Sequence, residues 1–310
     1  MAPAGTAKSH AVEVDQLRVS YGTRVAVDGI SFHADAGEVL AILGPNGAGK
    51  TTTVEALEGY RHPDSGSVHV LGLDPVAAHR EVSSRIGVVL QRGGIYPMMH
   101  ADRALQLFAA YYPDPRDPEE LLDVLALRDV AKTPFKRLSG GEQQRLALGL
   151  ALVGKPEVAF LDEPTSGVDP AGRIAVRDII ATLRADGVCV VLTSHELDEV
   201  ERLADRVVII DHGRVVAEGR PDEITEAAAV RFASAPGLDT AALSGVLGMV
   251  VTEASAGLYA VDGSPTPQGV AALASWLADR DLALGSFEAG RESLEDLFMR
   301  VLRADEPSAS

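Results

Sequence analysis

The segment Gly44-Pro45-Asn46-Gly47-Ala48-Gly49-Lys50-Thr51 places three glycines, a lysine and a hydroxyl within eight positions, and Thr52 follows. This spacing suits the enclosure of a phosphate chain. Gly44, Gly47 and Gly49 allow dihedrals that turn successive N–H groups inward, with Asn46 in the curve between them. Lys50 can reach the outer phosphates and the Thr51 hydroxyl can ligate Mg²⁺. A helix starting at Lys50 adds its positive N-terminal dipole. Such a site needs a carboxylate across the metal. Asp162 and Glu163 supply one at the end of the apolar run Val158-Ala159-Phe160-Leu161, where open α/β sheets bind their ligands. Asp162 is expected to hold Mg²⁺ through water, and Glu163 to serve as general base or to orient the attacking water. Ser139-Gly140-Gly141, ahead of a predicted helix, offers a hydroxyl, N–H groups and a dipole end as a second anion surface. One nucleotide does not readily reach both surfaces within a single compact chain.

The elements that must position these residues can be read from hydrophobic periodicity. Strands are predicted at 12–19, 29–33 and 38–43, the last running into the glycine loop, followed by a helix at 50–57 and strands at 67–71 and 85–90. Residues 92–153 read as a helical insertion. Strand–helix units resume with strands at 157–161, 188–192 and 206–210 and helices at 170–185 and 195–204, and a turn at Asp211-His212-Gly213 leads into a hairpin strand at 214–217. The fold class is therefore α/β. The texture changes near Glu226. Residues 231–310 carry 11 acidic and 5 basic side chains and read as a separate small α+β domain. Its strands are expected at 230–234, 250–253, 257–261 and 282–287, and its helices at 240–247, 267–278 and 293–302. The expected domains are 11–229 and 230–303.

The octapeptide Leu138-Ser139-Gly140-Gly141-Glu142-Gln143-Gln144-Arg145 lies between the glycine loop and Asp162. It resembles the signature motif of ATP-binding-cassette (ABC) ATPases. The resemblance implies a P-loop NTPase fold of the ABC nucleotide-binding type, with ATP and Mg²⁺ as ligands. It also implies two such domains facing head to tail, each ATP enclosed by one domain's P-loop and the other's signature. Four further residues take their roles from it. Tyr21 matches the aromatic that stacks on adenine, and Gln91 the glutamine that contacts Mg²⁺ or the attacking water. His195 matches the histidine that hydrogen-bonds the γ-phosphate and orients Glu163. Asp169, in Ser166-Gly167-Val168-Asp169, matches the loop that crosses to the partner subunit.

Ser293-Leu294-Glu295-Asp296-Leu297-Phe298 and the stretch 195–219 resemble ABC-2 type exporters, the group that contains antibiotic and daunorubicin-type resistance ATPases. That group implies a separate integral membrane permease subunit as partner, a second ATPase subunit, and residence at the cytoplasmic face of the membrane. The exported molecule would be a drug, an antibiotic or lipid-like. An importer ATPase is the alternative, and a non-transport ABC ATPase a more distant one. The chain departs from the exporter pattern at Met99-His100-Ala101-Asp102-Arg103, where Arg103 stands in place of the usual Glu. A coiled-coil DNA-repair ATPase is excluded by the 47 residues between Gln91 and Ser139, which leave no room for the coil.

Composition sets the outer bounds. Over 310 residues the formal net charge is −17, which opposes direct nucleic acid or an anionic lipid surface as main partner. A single cysteine, Cys189, excludes an internal disulfide, and its apolar neighbours mark it as buried. The longest charge-free stretch, 263–278, is 16 residues and contains Ser, Thr, Gln and two Pro, against the roughly 20 apolar residues of a membrane span. The N-terminus has no apolar signal core, so the isolated chain is expected to be soluble.

Overall fold

The computed structural model describes residues 10–89, 94–225, 229–261, 266–290 and 293–304. The chain divides into two compact units, residues 1–221 and 222–310. The first contains β1 (Val12–Tyr21), β2 (Arg24–Ala34), β3 (Val39–Leu43), α1 (Lys50–Leu57), β4 (Ser65–Val70), α2 (His79–Ser83), β5 (Ile86–Val89), α3 (Ala101–Ala109), α4 (Pro118–Val124), α5 (Gly140–Leu152), β6 (Val158–Asp162), α6 (Pro170–Ala185), β7 (Cys189–Thr193), α7 (Leu197–Leu203), β8 (Arg206–Asp211) and β9 (Arg214–Gly219).

Its six-stranded sheet has the order β5-β6-β7-β3-β8-β9. All neighbours are parallel except β9, which closes the edge as a hairpin with β8. Every residue of β3 and β7 is buried, the pattern of parallel strands covered on both faces. Cys189 lies among them, and burial pushes its thiol up to about 12, so it is a structural group and not a nucleophile. A second, antiparallel sheet has the order β2-β1-β4. Strand β2 starts five residues before the expected 29–33, because Arg24 pairs with Tyr21 and Val27 with Val19 across β1. Helices α3, α4 and α5 make up the helical insertion. Pro118 opens α4, with the Asp117 carboxylate accepting the Glu119 N–H at 2.9 Å, a cap that suits a helix with proline in its first turn.

After a short α8 (Pro221–Ile224), the second unit runs β10 (Ala229–Ala233), α9 (Thr240–Leu247), β11 (Val251–Ser255), β12 (Leu258–Val261), α10 (Pro267–Ala278), β13 (Phe287–Gly290) and α11 (Leu294–Ala304). Its antiparallel sheet has the order β11-β12-β10-β13, and the succession β-α-β-β-α-β in that order is ferredoxin-like. Val230, Phe232, Tyr259 and Val261 from the sheet pack with Leu243, Leu273 and Trp276 from α9 and α10. The strand expected at 282–287 is corrected here. Residues 282–286 form no strand, and β13 starts at Phe287, where it pairs with Phe232 of β10.

Candidate functional site

The end of β3 turns abruptly at Gly44 (φ 155°), and the loop returns through Gly47 (φ 83°) and Gly49 (φ 111°) into α1. Two of these glycines are required by crowding as well as by dihedral. A Cβ on Gly44 would lie 2.2 Å from the Ile210 carbonyl, and one on Gly49 would lie 2.5 Å from that of Ala26. The backbone is thus pressed against β8 and β2, leaving its inner curve for a ligand. Lys50 folds over the loop, its Nζ donating to the Gly44 carbonyl at 2.7 Å and the Pro45 carbonyl at 3.1 Å. Burial lowers the Lys50 pKa, while the nearby Glu163 and Asp162 charges oppose that shift.

A cleft of about 380 Å³ opens here, and it gathers residues far apart in sequence: Tyr21, Asn46, Gly47, Gly49, Lys50, Thr51, Thr52, Asp162 and Glu163. Tyr21 donates from its hydroxyl to Glu55 Oε2 at 3.2 Å and lies 3.3 Å from Thr52 Oγ1. The Arg61 guanidinium sits 4.5 Å from the centre of the Tyr21 ring, covering one face. At the far wall, β6 ends at Asp162, and Thr193 of β7 donates its hydroxyl to Asp162 Oδ1. Glu163 follows in a left-handed conformation (φ 49°), a strained state for a side chain of this type. Its N–H is held by the Thr193 carbonyl at 3.0 Å and Thr193 Oγ1 at 3.3 Å. Its carboxylate lies 3.0 Å from His195 Nδ1.

Among the described residues no group of three His, Cys, Asp or Glu side chains could cage a metal. The donors at hand are the Thr51 hydroxyl and the Asp162 carboxylate. That set fits Mg²⁺, which binds through one or two carboxylates together with phosphate oxygens and water.

Ser139, Gly140, Gly141 and Asp169 do not line this cleft. Ser139 caps α5: its Oγ accepts the Glu142 N–H at 3.3 Å, and Glu142 Oε2 accepts the Ser139 N–H at 2.7 Å, a reciprocal capping box. Ser139 and Gly140 are exposed, so this helix terminus faces outward. The Asp169 Oδ1 lies 3.0 Å from the point a Cβ would occupy on Gly141. Gln91 falls outside the described residues.

Sequence reasoning missed three groups. Arg24, exposed and directly across the strand pair from Tyr21, lines the cleft. Its Nη2 lies 3.2 Å from the position of a Cβ on Gly47, and among the described residues its guanidinium makes no hydrogen bond or ion pair. Thr193 was visible only as the end of an apolar run. Glu58, at the end of α1, is 6% exposed, and its carboxyl is pushed up to about 7 by burial and then by the charges of Asp162 and Glu55.

A family model described as ABC transporter matches residues 27–166. Over 308 residues the chain is 33% identical to the doxorubicin resistance ATP-binding protein DrrA of Mycobacterium tuberculosis (strain ATCC 25618 / H37Rv), covering 94% of this chain and 93% of that protein. The chain belongs to the ABC transporter family. Another ABC transporter relative, the Nod factor export ATP-binding protein I of Sinorhizobium fredii, is 40% identical over 221 residues, or 70% of this chain. The match spans 64% of that protein, just under two thirds of its length. A solved ATP-binding subunit of an ABC transporter superposes on 69% of this chain and 91% of its own with a TM-score of 0.63 and 27% identity. The α/β architecture with its helical insertion is that of ABC nucleotide-binding domains.

Proposed function

We propose that the chain is the ATP-hydrolysing subunit of a bacterial ABC exporter of the ABC-2 type. The observation that carries the reading is the Glu163–His195 contact of 3.0 Å, at the end of the strand that also delivers Asp162 to the glycine loop. Loop N–H groups, Lys50 and Arg24 bind the phosphates, and Tyr21 flanks the remainder of the nucleotide. Mg²⁺, held by Thr51 and Asp162, would neutralise charge developing on the transferred phosphoryl group. Glu163 takes up the proton of the attacking water or orients that water. His195 keeps the Glu163 carboxylate aimed and has an exposed ring that can reach the γ-phosphate. Gln91 is assigned the water or metal contact on resemblance alone.

Ser139 and Gly140 are exposed at the start of α5, which supports a second subunit bringing its own nucleotide to that surface, with the buried Gly141 behind it and Asp169 beside that contact. Among the described residues no helix is long and apolar enough to cross a membrane. The resemblance to ABC-2 exporters supports a separate integral membrane permease as partner, with the chain acting at the cytoplasmic face of the membrane. The relatives' names, Nod factor export and doxorubicin resistance, support a drug, antibiotic or lipid-like cargo moving outward. Arg103 is exposed on α3, where a reversed charge would alter which permease fits. The second unit, with none of these nucleotide motifs, is assigned an accessory role.

The test is Glu163→Gln, which preserves shape and hydrogen bonding but removes the base. Turnover should fall by about 10²- to 10⁴-fold with ATP still bound, as measured by phosphate release and by equilibrium binding. Turnover equal to wild type would overturn the assignment.

A further inference from the structure

Arg173, in the first turn of α6, makes three contacts that tie together parts of the chain serving different purposes. Its Nε donates to the Val168 carbonyl at 3.0 Å. Its Nη2 donates to Glu196 Oε1 at 2.8 Å, and its Nη1 lies 2.7 Å from Glu196 Oε2. The guanidinium therefore holds Glu196 by one charge-assisted hydrogen bond and by the ion pair itself. The Glu196 side chain is only 18% exposed, so water competes weakly for it.

Each end of this clamp leads to a different surface. Glu196 directly follows His195, which contacts Glu163 at 3.0 Å in the wall of the phosphate cleft. Val168 directly precedes Asp169. The buried Val168 side chain and the Asp169 carboxylate lie 3.5 Å and 3.0 Å from the point where a Cβ on Gly141 would project. Gly141 belongs to the first turn of α5, behind the Ser139 cap. A further pair, Arg177 with Glu199 at 3.5 Å, repeats the α6–α7 connection one turn along. That second pair joins the same two helices without touching the loop before α6. The Nε bond to a loop carbonyl adds nothing to helix packing, yet it fixes the loop that touches the signature helix.

We infer that Arg173 is a positioning residue that couples the Glu163–His195 pair to the Ser139–Gly141 surface of the same chain. The inference rests on the ATPase reading and its head-to-tail pairing. In that pairing the two surfaces serve two different nucleotides, so one guanidinium links the two sites. A shift of His195 on nucleotide binding moves Glu196, and through Arg173 the loop that sets Gly141 against the partner's nucleotide. The coupling makes the two ATP molecules cooperative.

The experiment measures ATP hydrolysis by the full chain as a function of ATP concentration, together with ADP binding and thermal unfolding. Wild type should show a Hill coefficient approaching about 2, the number of sites. Arg173→Ala should bring it to about 1 and lower saturating turnover on the order of 10- to 100-fold, the scale of a misplaced catalytic group. ADP affinity should be retained, because Arg173 is not part of the P-loop cleft. Arg173→Glu combined with Glu196→Arg should recover part of the cooperativity, whereas Arg173→Lys, which keeps the charge but has one nitrogen in place of the separate donors to Val168 and Glu196, should not. If Arg173→Ala fails to fold, Glu196→Gln must reduce the Hill coefficient in its place. An unchanged Hill coefficient in whichever of these two variants folds overturns the inference. Wild-type hydrolysis with a Hill coefficient of about 1 overturns it while leaving the ATPase reading intact. No hydrolysis by wild type, alone or in membranes with its permease, overturns the ATPase reading itself.

Discussion

Replacing Thr193 by Val keeps the shape of a side chain that is 2% exposed and removes a single oxygen. That oxygen donates to Asp162 Oδ1 and accepts the Glu163 N–H at 3.3 Å. The Glu163 N–H retains a shorter bond to the Thr193 carbonyl at 3.0 Å, so the loss falls mainly on Asp162. A hydrogen bond to a charged group contributes about 1.5–3 kcal/mol. At about 1.4 kcal/mol per decade, this corresponds to roughly a 10- to 100-fold weakening of whatever depends on how Asp162 is oriented. The Mg²⁺ concentration for half-maximal ATP hydrolysis should therefore rise by that order in Thr193→Val. Nucleotide binding in EDTA should be unaffected, since the glycine loop and Lys50 are untouched. A magnesium titration of phosphate release reads the first effect, and equilibrium binding of a fluorescent ATP analogue reads the second. An unaltered magnesium dependence would refute the claim that Thr193 orients the metal ligand. A matching loss of binding in EDTA would show that the loop had rearranged instead.

Arg24→Ala should weaken ATP binding by roughly 3- to 10-fold, as suits one charge-assisted contact at an exposed position, while adenosine binding stays the same; equal losses for both would deny a phosphate contact. Glu58 holds its proton more tightly in the folded chain than at its ordinary value of 4.5. The stability this group supports is complete below about 4.5 and is lost as pH rises through about 7, a difference of about 3 kcal/mol. Glu58→Gln should therefore flatten the fall in melting temperature between pH 5 and pH 8, and an identical slope in calorimetry would contradict it. Mixing a Lys50→Ala subunit with a Ser139→Arg subunit should restore ATP occlusion in one site of the mixed dimer, because head-to-tail pairing confines both lesions to the other. Tagged mixed dimers that trap no more nucleotide than either parent would show that the sites are not shared.

The chemistry of the loop was legible because it is local. Three glycines before Lys50 can serve only a backbone that turns where side chains would collide, and α1 begins at Lys50 as the pattern requires. The apolar runs of β3, β6 and β7 were legible for a related reason: strands covered on both faces are built of apolar residues, apart from Asp162 and Thr193 at the ends that reach the site. The helix expected after Ser139-Gly140-Gly141 was legible as well, and α5 begins at Gly140.

Other features depend on which strand lies beside which, and no local pattern contains that. Residues 282–287 have the composition of a strand, yet β13 starts at Phe287 because its hydrogen-bonding partner, β10, sets the register. Thr193 meets Asp162 only because β7 lies next to β6 in the sheet. Arg24 reaches the glycine loop because β2 crosses above it, and Arg173 joins Val168 to Glu196 because α6 packs against the start of α7. The sequence by itself determined which groups could bind phosphate and activate water, since side-chain chemistry and backbone freedom are properties of single residues and their neighbours. Only the tertiary structure decided which of those groups meet, and what holds them in place, because long-range pairing is settled by burial and register over the whole sheet.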